Sequence, residues 1–163
     1  MLRGYYPEHA RVGVFKGIDL RLLARRLWRF PAMQSQGLPL PAFTWRAKLR
    51  GYTGGSAYGR RIVIRLGPSS SLEYVAQVLA HELVHCALPA GVHHGEDFCR
   101  RLIELHREFY KIDLSTDKLL ALPMGKHKVT AYAIDEEITI AMKARGVAEW
   151  FYADVELCGL EDV

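Results

Sequence analysis

Cysteine is scarce in this chain: three in 163 residues, Cys86, Cys99 and Cys158, odd in number and far apart. That excludes a disulfide framework, and without a CxxC pair it also excludes a zinc ribbon. A reducing, cytoplasmic setting is the expectation that follows. Long apolar runs are missing as well, none approaching the roughly 18–20 residues that span a bilayer. A membrane partner is therefore not expected. The opening MLRGYYPEHARVGVF has no apolar h-region or small-residue cleavage site, so no secretory signal is expected. There is no internal repeat and no low-complexity tract. Acidic residues are rare in one half: residues 1–75 hold 3 Asp/Glu against 13 Lys/Arg, while residues 76–163 hold 15 against 9. The net charge of +4 thus joins a basic first half to an acidic second half.

Half the residues are hydrophobic and a quarter are charged, the balance of a soluble globular protein long enough for one real core. IDLRLLARRLWRF (18–30) sets Leu20, Leu23, Leu27 and Phe30 at helical spacing, with Asp19 as N-cap and Pro31 as the stop. FTWRAKLR (43–50) alternates, sending Phe43, Trp45, Ala47 and Leu49 to one side and Thr44, Arg46, Lys48 and Arg50 to the other. After the glycine-rich GYTGGSAYG (51–59), RRIVIRL (60–66) alternates again, with Ile62, Ile64 and Leu66 inward. The pair predicts an antiparallel hairpin with one basic face. Its edge strand, 60–66, is expected to offer an extended substrate a place to add.

The clearest helix is PSSSLEYVAQVLAHELVHCAL (68–88). Ser70 and Glu73 have capping-box spacing, Leu72, Val75, Ala76, Leu79, Leu83 and Ala87 form its stripe, and Pro89 and Gly91 end it. EDFCRRLIELHREFYK (96–111) is a second amphipathic helix, with His106 expected on its flank. Further on, HKVTAYAID (127–135) reads as a strand, EEITIAMKARG (136–146) as a short helix, and VAEWFYADVEL (147–157) fits either. The order of elements predicts an α+β domain.

Four of the seven histidines fall in HELVHCALPAGVHH (81–94). His81 and His85, four apart on a helix, lie on one face and can bring two imidazoles to one ion. Glu82 is rotated about 100° from His81, able to stand beside the metal without ligating it. A zinc-bound water has a pKa near neutrality, and a carboxylate can take its proton. HExxH therefore carries a mechanism. The third ligand stays open at this point. His93 and His94 lie eight and nine residues past His85, and Glu104 lies nineteen past it. The metzincin spacing fails, because Leu88 and Gly91 stand where glycine and histidine would be required.

HELVH (81–85) followed by HGEDF (94–98) resembles the SprT-like zinc metallopeptidases, the family of the SprT/Spartan-like protease domain. The stretch TWRAKLRGYTGGSAYGRRIVIRL (44–66) is similar to that family's basic hairpin, and the resemblance runs over about residues 18–110. It implies a zincin-like metalloprotease core: an N-terminal helix, a small antiparallel sheet, the HExxH helix and a following helix. It further implies Zn2+ as cofactor, His81, His85 and His94 as its ligands, and Glu82 as general base, leaving His93 a bystander. The paired cysteines of the C-terminal zinc ribbon that many members carry are missing here, so hydrolysis is implied more firmly than DNA targeting.

The resulting expectation is a core over residues 1–113 and a C-terminal α/β extension over 114–163 packed on the same domain. The function expected is zinc-dependent endopeptidase action on a protein or peptide substrate. Nucleic acid is a candidate partner through Arg46, Lys48, Arg50, Arg60, Arg61 and Arg65, which points to DNA-associated proteins as substrates. The alternative is a non-proteolytic nucleic-acid or protein binding module that keeps the zinc site. A third reading is hydrolysis of another bond, since HExxH specifies water activation and not the substrate.

Overall fold

The Asp19 carboxylate accepts hydrogen bonds from the Arg21 and Leu22 amides, 3.0 and 3.1 Å away, and so starts the first long helix. The computed structural model describes residues 3–49, 54–90, 92–122 and 129–159. In chain order the helices are α1 (Pro7–Ala10), α2 (Leu20–Trp28), α3 (Leu72–Ala87), α4 (Glu96–Tyr110), α5 (Thr116–Leu120), α6 (Val129–Arg145) and α7 (Val147–Ala153). The strands are β1 (Val14–Phe15), β2 (Ile18–Asp19), β3 (Ala42–Ala47), β4 (Gly55–Tyr58) and β5 (Arg61–Leu66). Pro31 opens a 3-10 turn at Pro31–Met33 just after α2. The chain is α+β. No helix among the described residues is long and apolar enough to cross a membrane.

The sheet departs from the hairpin that the alternation predicts. β3 and β5 pair in parallel, Ala42 opposite Arg61 through Ala47 opposite Leu66. The glycine-rich segment supplies β4, which pairs antiparallel with β5, giving the order β3-β5-β4. The strand at 61–66 is therefore central and not an edge; β4 and β3 are the edges. Alternation fixes which side chains share a face but not which strand lies alongside, so it could not tell these arrangements apart. Ile62, Ile64 and Leu66 are buried as their period requires. On β3 the inward set stops early: Trp45 is buried, whereas Ala47 and Leu49 lie exposed beyond the covered part of the sheet.

Helix α3 lies on the inner face of this sheet. Its N-cap is Ser71, one residue later than the capping-box spacing suggests, and the Ser71 hydroxyl accepts from the Tyr74 amide at 3.1 Å. Glu73 sits in the first turn, where its charge suits the helix dipole. Gly55 on β4 is the closest approach. A Cβ there would lie 2.8 Å from Val78 Cγ1 and 3.1 Å from Glu82 Cγ, so only glycine lets the strand sit this near the helix.

Beyond residue 128 the strand expected at 127–135 is replaced by helix. One helix, α6, runs from Val129 to Arg145, and α7 follows after Gly146 at φ +75°. Ala131, Ile134, Ile138 and Met142 are its buried stripe, at helical and not alternating spacing. Packing of that stripe against α3 and α4 outweighs the strand propensity of VTAY. Residues 127 and 128, Arg50, residues 51–53 of the glycine-rich segment and Gly91 lie outside the described residues.

Candidate metal centre

Helix α3 presents His81 and His85 one turn apart, and the loop before α4 returns His94 to them. His81 Nε2 and His85 Nε2 each lie 3.0 Å from His94 Nε2. One ligand atom from each of the three lies within 4.8 Å of the others, and among the described residues this is the one such group that could hold a metal ion. A tetrahedral ion with bonds of about 2.0–2.1 Å keeps its ligand nitrogens about 3.3–3.4 Å apart. The triad is within a few tenths of an ångström of that geometry. Imidazole lone pairs facing each other this closely repel unless a proton or cation lies between them. The donor set and its spacing thus fit a divalent ion.

His94 completes the group. His93 lines the same cleft but is exposed and does not converge, and Glu104 is not part of the group. The floor of the site is Phe98, fully buried, with its ring 4.8 Å from that of His81, 4.4 Å from His85 and 5.0 Å from His94. This accounts for the phenylalanine of H-G-x-x-F. One aromatic surface fixes all three imidazole planes, and Gly95 N-caps the helix that carries it. Glu96 and Asp97 occupy the first turn of α4, and Glu96 pairs with Arg100 at 2.9 Å, away from the metal group.

Glu82 is buried beside the triad, Oε1 3.9 Å from His81 Nε2, close enough to act on a molecule bound there without joining the ligands. Burial pushes its carboxyl up to about 7, against the opposing charges of His81 and Arg65 and with Asp135 reinforcing the rise. For His81, burial opposes protonation, but the hydrogen bond and charge of Asp135 outweigh it and raise the pKa. Asp135 was not legible as a site residue. It reaches the centre from α6, its Oδ1 lying 3.1 Å from His81 Nδ1 and accepting from Gln77 Nε2 at 2.6 Å.

The triad opens into a cleft of about 1060 Å³. One wall is the β4 edge with Ser56 and Ala57, and the other is α6 with Tyr132, Glu136 and Ile140. Tyr132 and Ile140 are more than half exposed, and the Tyr132 ring lies 6.4 Å from that of His94. This volume sits at the top of the range of pockets for small ligands, roughly 300–1,000 Å³.

The basic residues divide. By register Arg61, Arg65 and Arg46 lie on the outer face of the sheet, turned away from α3 and outside the cleft. Tyr58, 67% exposed, stands opposite Arg61 on the same face. Lys48 lies just past the end of β3. Arg60 differs: its guanidinium donates to the Cys86 and Pro39 carbonyls and lies over the Trp28 ring, so it ties the sheet to α2 and α3 instead of facing outward. The cysteines are all buried and unbridged, and burial pushes the Cys86 and Cys99 thiols up to about 11, which makes them poor metal ligands.

No protein-family model, curated protein or solved structure matches this chain.

Proposed function

We propose that the chain is a zinc-dependent endopeptidase with a zincin-like core of the SprT-like kind. The observation that carries this reading is the convergence of His81, His85 and His94 beside the buried Glu82 in an open cleft. His81, His85 and His94 would hold the zinc ion, which would supply Lewis acidity to activate water and polarise a carbonyl. Glu82, 3.9 Å from His81 Nε2, would take the proton of the attacking water and return it to the departing amine. Phe98 keeps the imidazoles in register. β4 lines the cleft and, unlike β5, is the edge on which an extended chain would add as a further strand.

The test is cleavage of an unfolded, casein-like protein by wild type and Glu82→Gln. Loss of the base is expected to cost about 10²–10⁴-fold in kcat. Undiminished cleavage by the variant removes the mechanism.

The outer sheet face supports nucleic acid as a partner. Arg46, Arg61 and Arg65 offer phosphate contacts and Tyr58 a stacking surface for a single strand. DNA-associated proteins are then the natural substrates, and single-stranded DNA is expected to speed cleavage. That same face favours the second reading, a binding module with a retained metal site. A steep salt dependence of DNA binding with no proteolysis under any condition would support the module over the peptidase.

A further inference from the structure

Asp135 lies 54 residues beyond His81 and on a different helix, yet its carboxylate meets the imidazole nitrogen of His81 that faces away from the cluster, at 3.1 Å. Its Oδ1 meets both His81 Nδ1 and Gln77 Nε2. Gln77 and His81 stand one turn apart on α3, so a single oxygen of α6 bridges two successive turns. Gln77 is 2% exposed, and its amide nitrogen has its hydrogen bond here, which holds the carboxylate in place from the far side.

A carboxylate oxygen only accepts, so His81 must present an N–H at Nδ1, and its lone pair is left at Nε2. That is the atom facing His94 Nε2 at 3.0 Å. An imidazole free to flip or change tautomer would offer the ion an N–H as often as a lone pair.

We infer that Asp135 is a positioning residue of the metal centre. It fixes the tautomer and ring plane of His81, with Gln77 fixing Asp135 in turn, and helix α6 is thereby a working part of the site. Carboxylate partners of this kind typically change metal affinity 10–100-fold. Asp135 does not touch the ion or the substrate; it acts through His81. The inference rests on the metal-binding half of the proposed function and not on peptide hydrolysis.

The experiment measures Zn2+ affinity of the full chain by competition with a chromophoric chelator, for wild type, Asp135→Asn, Asp135→Ala and Asp135→Glu. Asp135→Ala is expected to bind Zn2+ about 10–100-fold more weakly, Asp135→Asn to fall between it and wild type, and Asp135→Glu to recover part of the loss. A spectroscopic readout separates positioning from simple packing: the downfield imidazole N–H proton of His81 should be present in wild type and absent in Asp135→Ala. Thermal melting of the metal-free variants checks folding, and Asp135→Asn, which keeps the side-chain shape, carries the test if the alanine variant does not fold. Wild-type affinity in both the asparagine and alanine variants overturns the inference while leaving the peptidase reading intact. A wild-type chain that binds no Zn2+ overturns both.

Discussion

Replacing His106 isolates one source of acid sensitivity in this fold. The ring is fully buried on α4, stacked on Tyr110 with centroids 5.6 Å apart. Its Nδ1 donates to the Leu102 carbonyl at 2.8 Å, while Nε2 has no hydrogen-bond partner among the described residues. Burial lowers its pKa to about 4; the Leu102 hydrogen bond opposes that shift and the charge of His81 adds to it. The unfolded chain takes up this proton at about 6.5, the folded one only near 4. Because the folded pKa is depressed, the unfolded state binds more protons throughout that window. The neutral imidazole therefore contributes its full stability above pH 6.5 and loses it as pH falls toward 4. A gap of about 2.5 units at about 1.4 kcal/mol per unit makes the loss on the order of 3 kcal/mol. The assay is urea unfolding of wild type, His106→Phe and His106→Gln at pH 7.5, 5.5 and 4.5, in chelator so that the ligand histidines titrate alike in all three chains. Phenylalanine will change the absolute stability by altering the packing, so the quantity to compare is the slope with pH. Both variants are expected to lose about 2.5 kcal/mol less than wild type between pH 7.5 and 4.5, since at pH 4.5 the folded ring is still mostly neutral. Equal slopes in all three chains would refute the argument.

Gly55→Ala puts a methyl where Val78 Cγ1 would be 2.8 Å away and Glu82 Cγ 3.1 Å. It should cost about 1–3 kcal/mol of stability by overpacking. If the proposed peptidase activity holds, the larger effect should fall on kcat/KM, because β4 moves off the helix that carries Glu82, the proposed base; unchanged kinetics would detach the strand from the site. His94→Ala should abolish tight binding of one zinc per chain, and His93→Ala should leave it within about threefold, as a non-ligand histidine predicts. Zinc titration of the two variants decides, and the reverse ranking would exchange their roles.

What the sequence disclosed was local. The Asp19 cap, the inward set Ile62, Ile64 and Leu66, and the facing of His81 and His85 depend on spacings of four residues or fewer, and each spacing has one geometric meaning. The parallel partnership of β3 with β5 does not, because the same alternation serves either direction. The β-branched and aromatic start of α6 suggests a strand, although Ala131, Ile134, Ile138 and Met142 already keep a helical period. His106 reads from the sequence as a flank residue, yet it follows Leu102 by four and shares that buried face. Asp135 left no local trace at all; its meaning comes from a neighbour more than fifty positions away.

That separation has a consequence for the chain during its synthesis. Residues are added at about 5–20 per second, so HELVH precedes Asp135 by about 3–11 seconds. Throughout that interval His81 has no carboxylate to hold its proton at Nδ1, and once His94 is added the nascent chain carries the whole histidine motif without its orienting partner. On the role inferred for Asp135, a chain arrested before α6 would display every letter of the motif and hold a metal ion less tightly. On that reading, maturation of the centre is timed by the arrival of a helix that itself holds no ligand.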